Sequence, residues 1–118
     1  MPMRIRELAA RAGTTTRTLR YYEAQGLLPA VRTANGYRAY EEHHVRLVKE
    51  IRSLQAIGFS LDDARPFVEC LLSGHESSDE CPGSVAAYHR KLAGLDRQIA
   101  ELQQARDRLA ERLGQTAT

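Results

Sequence analysis

The sequence predicts a mainly helical protein: a winged helix-turn-helix with a small β-hairpin wing, followed by one long helix. Three observations lead to this fold class. A short helix with a basic outer face precedes a break at Gly26 and Pro29. An Asn35-Gly36 turn signal then lies between two arms that carry arginines. Finally, residues 82–113 carry apolar side chains at alternating intervals of three and four.

The first helix of the motif is predicted from four apolar residues that share one helical face. They are Ile5, Leu8, Ala9 and Ala12. Gly13 can end this helix because glycine tolerates the left-handed conformation, and Thr15 can cap the next helix by accepting a backbone N–H. We therefore expect two helices joined by a tight turn.

The second helix has one apolar face and one polar face. Leu19 and Tyr22 are spaced i, i+3 and should face the core. The side chains expected on the outer face are Thr16, Arg17, Arg20 and Tyr21. Forked arginine donors, a hydroxyl and a polar aromatic suit base edges and phosphates. A solvated helix surface would show the same pattern, so this helix alone leaves both interpretations open.

The predicted hairpin favours the interpretation as a DNA-binding surface. Arg32 and Arg38 lie on opposite sides of the Asn-Gly turn, and Tyr37 lies beside them. An ordinary surface hairpin explains the turn but not the arginines on both arms. A groove-reading helix with a basic hairpin next to it is typical of a winged helix-turn-helix.

Composition gives further limits. A chain of 118 residues is one domain, or one domain plus an arm. The net charge is only +2, but residues 1–52 hold ten basic and five acidic residues, and residues 53–118 hold seven and ten. The basic half contains the motif, as attraction to phosphate requires. We expect no export signal, no membrane segment, a cytoplasmic location and free thiols at both cysteines.

The segments RTLRYYEAQGLL and RTANGYRAY resemble the MerR family of bacterial transcription regulators from Arg4 to about Leu72. The matching residues are Arg17, Thr18, Leu19, Arg20, Tyr21, Tyr22, Glu23, Gly26, Leu27, Leu28, Arg32, Gly36, Tyr37, Arg38 and Tyr40. The resemblance implies a homodimer that binds a pseudo-palindromic promoter, distorts its spacer and realigns the promoter for RNA polymerase. The predicted contacts to double-stranded DNA are Thr15, Thr16, Arg17, Arg20, Tyr21, Arg32, Tyr37 and Arg38.

A third helix is predicted over residues 42–57, with an apolar stripe of Leu47, Val48, Ile51 and Leu54. Its arginines and lysine, Arg46, Lys49 and Arg52, either contact phosphate or are solvated. A fourth helix should begin after a Ser60–Asp63 capping box. Pro66 predicts a kink in it, or a helix that restarts there. The resemblance implies that residues 41–72 form a second wing within a DNA-binding domain over residues 1–72.

Residues 73–83 are polar and rich in turn formers, so we expect a loop that is the candidate effector region. The long helix carries a seam of eight apolar side chains: Val85, Tyr88, Leu92, Leu95, Ile99, Leu102, Leu109 and Leu113. Such a narrow stripe needs a partner helix, so residues 84–113 should form a dimerisation coiled coil. The resemblance implies antiparallel pairing. Arg106 occupies a seam position, where it either favours one register or snorkels. Residues 114–118 are expected to be a disordered tail.

Cys81 is the strongest sensor candidate because it precedes Pro82 at a helix N-terminus, where the dipole favours a reactive thiolate. Asp79 and Glu80 oppose this effect. Related sensors carry further cysteines after the long helix, and this sequence has none there, so the family's metal site is incomplete. Cys70 and His75 are the other candidates. A thiol switch, a metal site and no sensor at all remain open, and neither a metal nor another cofactor is assigned.

One alternative function is a coiled-coil module that recruits another protein and has no role on DNA. The acidic second half and the short chain are compatible with it. DNA affinity and self-association distinguish the two hypotheses. We find no arrangement typical of nucleophilic or paired-carboxylate catalysis, and we expect no enzyme activity.

Overall fold

The computed structural model describes residues 3–29, 31–32 and 38–116. These residues form five helices and one pair of short strands, so the protein is mainly helical, as predicted. The chain divides into two compact units, Met1–Ser84 and Val85–Thr118, here called unit 1 and unit 2. Within the described residues, no helix is long and apolar enough to cross a membrane.

Helices α1 (Ile5–Ala12) and α2 (Thr16–Ala24) pack against each other in unit 1. Gly13 ends α1 with φ of 72°, a left-handed conformation that favours glycine. Thr15 then caps α2, since its hydroxyl oxygen accepts the backbone N–H of Thr18 at 3.1 Å. Both predicted helix boundaries are confirmed.

Two short strands follow α2 and pair antiparallel: β1 (Val31–Arg32) and β2 (Arg38–Ala39). The predicted Asn35-Gly36 turn and Tyr37 lie outside the described residues. The strands lead into Tyr40, whose backbone exchanges two hydrogen bonds with Met3 at 2.7 and 2.8 Å. The segment after the strand pair is thereby fixed to the start of α1.

Helix α3 (Glu42–Ala56) buries the predicted stripe, with Leu47, Val48, Ile51 and Leu54 all inaccessible to solvent or nearly so. It packs on both α1 and α4 (Leu61–Leu72). These contacts enclose the hydrophobic core of unit 1, in which Leu8, Leu19 and Tyr40 are also fully buried.

The prediction that helix α4 restarts at Pro66 is wrong, because α4 is one helix from Leu61 to Leu72 with Pro66 inside it. Pro66 has no N–H to donate to the carbonyl of Asp62. Asp62 is exposed, so water can take the place of this donor. Burial of Ala64, Phe67 and Val68 on the other side stabilises the continuous helix.

Helix α5 (Pro82–Thr116) begins at Pro82, as predicted, because proline suits the first helical position. It continues three residues beyond the predicted end at Leu113. The side-chain hydroxyl of Thr116 donates to the Leu113 carbonyl at 2.9 Å. Residues 114–116, expected in a disordered tail, are therefore helical. At 1.5 Å per residue, its 35 residues extend about 52 Å.

Candidate DNA-binding surface and cysteine cluster

The outer face of α2 carries the side chains predicted to read DNA. Arg17, Arg20 and Tyr21 are exposed, and Tyr21 presents 54% of its surface. Thr16 is half-buried and Thr15 is exposed at the N-terminal end of the helix. Exposed arginines and a large exposed aromatic on one short helix form a surface that suits a polyanion with stackable bases.

The inner face of α2 holds this surface rigidly against the core. Leu19 is fully buried and Tyr22 is 3% exposed. The Tyr22 hydroxyl donates to the Gln55 side-chain oxygen of α3 at 2.8 Å. Burial raises the pKa of Tyr22, and the nearby charge of Arg52 partly offsets that effect. Because the raised pKa keeps Tyr22 a neutral donor near pH 7, this hydrogen bond ties α2 to α3 there.

The strand pair brings two further predicted residues together. Arg32 and Arg38 are direct register partners across the two strands. The short strand pair that follows α2 in the chain therefore carries two basic residues at paired positions. The third predicted residue of this region, Tyr37, lies outside the described residues.

Two other arginines of unit 1 donate hydrogen bonds to backbone carbonyls at helix ends, and the sequence did not predict these bonds. Arg52, considered above as a phosphate contact, donates to the carbonyl of Ala12 at 3.0 Å and so completes the end of α1. Arg65 donates to the carbonyl of Gln25 at 2.8 Å and does the same for α2. No local pattern could have revealed these bonds, because each joins residues 40 apart in sequence.

Two more basic residues have partners within unit 1. Arg11 forms an ion pair with Glu42, which raises the pKa of Arg11 and lowers that of Glu42 through their hydrogen bond. Arg46 donates to the carbonyl of Glu76 at 2.7 Å and so binds α3 to the loop that precedes α5. Arg46 therefore holds the candidate effector region.

Helix α3 starts with an imidazole cap. The Nδ1 atom of His44 accepts the backbone N–H of Glu41 at 2.8 Å. Glu41 and His44 thereby close the start of α3 as a capping box. His44 is 3% exposed, and burial lowers its pKa, with the neighbouring His43 acting in the same direction. A neutral imidazole is the form that can accept this hydrogen bond.

The expectation of free thiols is wrong, because Cys70 and Cys81 are joined by a disulfide bond. Cys70 lies in the last turn of α4 and Cys81 immediately before α5. The loop between them folds back so that their Cα atoms are 5.9 Å apart, within the usual range for bonded cysteines. The sequence suggested both residues as sensors but gave no geometric basis for their pairing.

His75 completes a cluster of all three predicted sensor residues. Its Nδ1 atom lies 3.7 Å from the sulfur of Cys81 and 3.1 Å from the carbonyl oxygen of Cys70. The ligand atoms of the three residues lie within 4.8 Å of one another, close enough to hold one metal ion if the cysteines are reduced. Three ligands leave one position of a tetrahedral ion to be filled.

In unit 2, the predicted seam of α5 remains largely exposed in the single chain. Leu92 is 57% exposed, Ile99 63%, and Leu102 70%. Leu109 and Leu113 are exposed to a similar degree. A regular line of exposed leucines along one helix is unfavourable in water unless another surface covers it.

Comparison with known proteins identifies the family. Residues 3–69 match the MerR HTH family regulatory protein domain, and residues 45–112 match the MerR DNA-binding domain. The HTH-type transcriptional regulator CueR of Yersinia pestis is 35% identical over 91% of this chain and 76% of its own length.

Two solved structures share the fold. One is HiNmlR, a MerR family regulator lacking the sensor domain, bound to promoter DNA, with a TM-score of 0.62, 28% identity, and coverage of 97% of this chain and 89% of its own. The other is PbrR691 from Ralstonia metallidurans in complex with lead(II), with a TM-score of 0.76, 28% identity, and coverage of 92% and 83%. All three relatives are regulators. The chain belongs to the MerR family of DNA-binding transcription regulators.

Proposed function

We infer that the protein is a homodimeric, cytoplasmic regulator that binds a pseudo-palindromic promoter and controls transcription by distorting the spacer between the promoter elements. The outer face of α2 is the observation that carries the DNA-binding part of this proposal. One side of α2 is locked into the core by Leu19 and Tyr22, and the other presents Arg17, Arg20 and Tyr21 to solvent.

Within this surface we assign two kinds of contact. Thr16, Arg17 and Tyr21 contact bases and the backbone next to them, and Thr15 sets the start of the helix that carries them. Arg20, together with Arg32, Tyr37 and Arg38 of the hairpin wing, contacts phosphates. Phosphate contacts position the protein without specifying a sequence. The basic balance of residues 1–52 supports this division of the chain.

Dimerisation is assigned to the seam of α5. The proposed contacts are Val85, Tyr88, Leu92, Leu95, Ile99, Leu102, Leu109 and Leu113. The exposure of the leucines in a single chain supports a second copy of the same helix as the missing surface. We propose an antiparallel coiled coil, as in the family, which presents two α2 helices to two half-sites. This arrangement explains why a two-fold symmetric site is the expected target.

The proposed mechanism is that the bound dimer bends and untwists the promoter spacer, and so realigns its two elements for RNA polymerase. Deforming DNA in this way costs several kcal/mol. Contacts from both wings, the strand pair and the α3–α4 region, must offset this cost. The two arginines that complete helix ends in unit 1, Arg52 and Arg65, stiffen the DNA-binding unit against such a deformation.

The test is the salt dependence of binding to duplex DNA, measured by fluorescence anisotropy at several salt concentrations. Each lost phosphate contact should reduce the log–log slope by about 0.9, so Arg20→Ala or Arg38→Ala should reduce it by about 1.8 per dimer. Arg17→Ala should instead reduce discrimination between cognate and random duplexes. Arg97→Ala, on α5, serves as the matched control. An unchanged slope in Arg20→Ala and Arg38→Ala would contradict the assignment.

A further inference from the structure

The cysteine cluster of unit 1 combines one buried sulfur with one accessible sulfur. Cys70 is 2% exposed, Cys81 is half-buried, and His75 is exposed. The Cys70 sulfur lies 3.6 Å from the carbonyl oxygen of Ser77, so a reduced thiol there has an acceptor. The Cys81 sulfur faces the His75 ring at 3.7 Å and lies at the start of α5. The two cysteines therefore differ in access to solvent and in chemical surroundings.

We propose that Cys81 and Cys70 form a peroxide-responsive dithiol switch, in which Cys81 reacts with the oxidant and Cys70 resolves the product. The proposal rests on the proposed function, since the switch regulates the promoter-bound dimer. Cys81 is the attacking group because solvent reaches it. The helix N-terminus and, when protonated, the adjacent imidazole of His75 favour a thiolate there, against the negative charges of Asp79 and Glu80. Cys70 is protected from the oxidant by burial, yet lies within bonding reach of Cys81.

The chemistry proceeds in two balanced steps. In the first, the Cys81 thiolate attacks the O–O bond of a peroxide ROOH, forms an S–O bond and, with one proton, gives Cys81 sulfenic acid and ROH. The sulfur loses two electrons, which reduce the peroxide. In the second, the Cys70 sulfur attacks the Cys81 sulfur, its proton and the hydroxide leave as water, and the disulfide forms. A reduced thiol can later reverse the bond by exchange.

The bond acts on the segment that leads into α5. It closes a loop with a sequence separation of 11 residues. Arg46 holds the loop through the Glu76 carbonyl, and His75 contacts the Cys70 carbonyl. Oxidation therefore fixes the end of α4 to the start of α5 covalently, whereas after reduction only noncovalent contacts, these two among them, hold the loop.

A metal ion is the rival ligand for the same cluster. The three side chains offer two sulfurs and one ring nitrogen within 4.8 Å of one another. A closed tetrahedral site wants a fourth protein ligand, and none joins the cluster among the described residues. The cysteines are also bonded to each other in the structure, and this bond is the product that the dithiol switch requires. These observations favour the peroxide over the metal.

The test uses the full chain, reduced with a phosphine and then freed of it. Hydrogen peroxide or an organic hydroperoxide should join Cys70 to Cys81 within one chain, detected by peptide mass spectrometry after alkylation. In Cys70→Ala, a sulfenic-acid reagent should label Cys81, whereas in Cys81→Ser it should leave Cys70 unlabelled. His75→Gln should slow the first step by about threefold, because a smaller thiolate fraction is partly offset by higher nucleophilicity.

The functional readout is transcription from the bound promoter with reduced protein, peroxide-treated protein and Cys81→Ser. Oxidation should change transcription by about fivefold or more in the wild type and leave Cys81→Ser unchanged. Equal transcription from reduced and oxidised wild type would overturn the proposal, as would first oxidation at Cys70. A response to Zn²⁺ or Cu⁺ on the reduced cysteines without any response to peroxide would assign the cluster to a metal instead.

Two further controls keep the outcomes separable. Cys70 is buried, so the stability of Cys70→Ala is first checked by thermal melting. If this variant is unstable, Cys81→Ser, at the more accessible cysteine, alone tests whether the response to peroxide requires the cysteine pair. Duplex binding is measured for every sample. Loss of binding in both redox states would contradict the proposed function itself. Normal binding with redox-independent transcription would overturn only the switch.

Discussion

Truncating one seam leucine of α5 tests the proposed dimer quantitatively. Leu102 is 70% exposed in the single chain, so most of its side chain is available for burial against a partner helix. Leu102→Ala removes three carbon groups, worth about 0.8 kcal/mol each when fully buried. Scaled by the exposed fraction, the loss is about 1.7 kcal/mol per protomer, and about 3.4 kcal/mol per dimer.

This loss corresponds to a dimer dissociation constant about 250-fold weaker, because 1.4 kcal/mol is a factor of ten. Sedimentation equilibrium over serial dilutions measures it directly. Gln104→Ala is the matched control, since Gln104 is exposed on the same helix two residues away but lies off the seam. A change in Leu102→Ala no larger than in Gln104→Ala would refute the assignment of the seam to dimerisation.

Three further predictions concern unit 1. Reduction of the disulfide should lower the free energy of unfolding by about 3 kcal/mol in urea titrations, from the loop it closes, and Cys81→Ser should show no response to reductant. Burial lowers the pKa of His44 below its ordinary 6.5, so the unfolded chain takes up the proton first as the pH falls. The free energy of unfolding should therefore decrease between pH 6.5 and that lowered pKa and stay constant below it. His44→Gln, which keeps an acceptor for the helix cap, should make this decrease smaller. The Ser84 hydroxyl is fully buried and has no hydrogen-bond partner among the described residues. Ser84→Ala should therefore raise the free energy of unfolding by about 1 kcal/mol, and a lower free energy of unfolding would contradict the absence of a partner.

The sequence predicted most of what depends on local patterns. Gly13 and Thr15 mark the turn between α1 and α2 because each acts on backbone groups within a few residues. The buried stripe of α3 and the start of α5 at Pro82 follow from helical periodicity and proline geometry in the same way. Such signals are readable because cause and effect are close in the chain.

What could not be predicted depends on tertiary contacts. The helix runs through Pro66 because packing on its other face outweighs one lost hydrogen bond, and the sequence does not give that balance. The cysteine pairing likewise depends on how a loop folds back, which composition does not reveal. Arg52 and Arg65 look like basic surface residues in sequence, yet each completes a helix end far away in the chain.

The central claim is that two copies of α2 read two symmetric half-sites of a duplex. Selection of binding sites from a pool of random double-stranded DNA, with the reduced full chain at low salt, tests it most directly. We expect enrichment of an inverted repeat with fixed spacing, and loss of that enrichment when Arg17 and Tyr21 are both changed to Ala. A single asymmetric site bound by a monomer, or no enrichment at all, would contradict it.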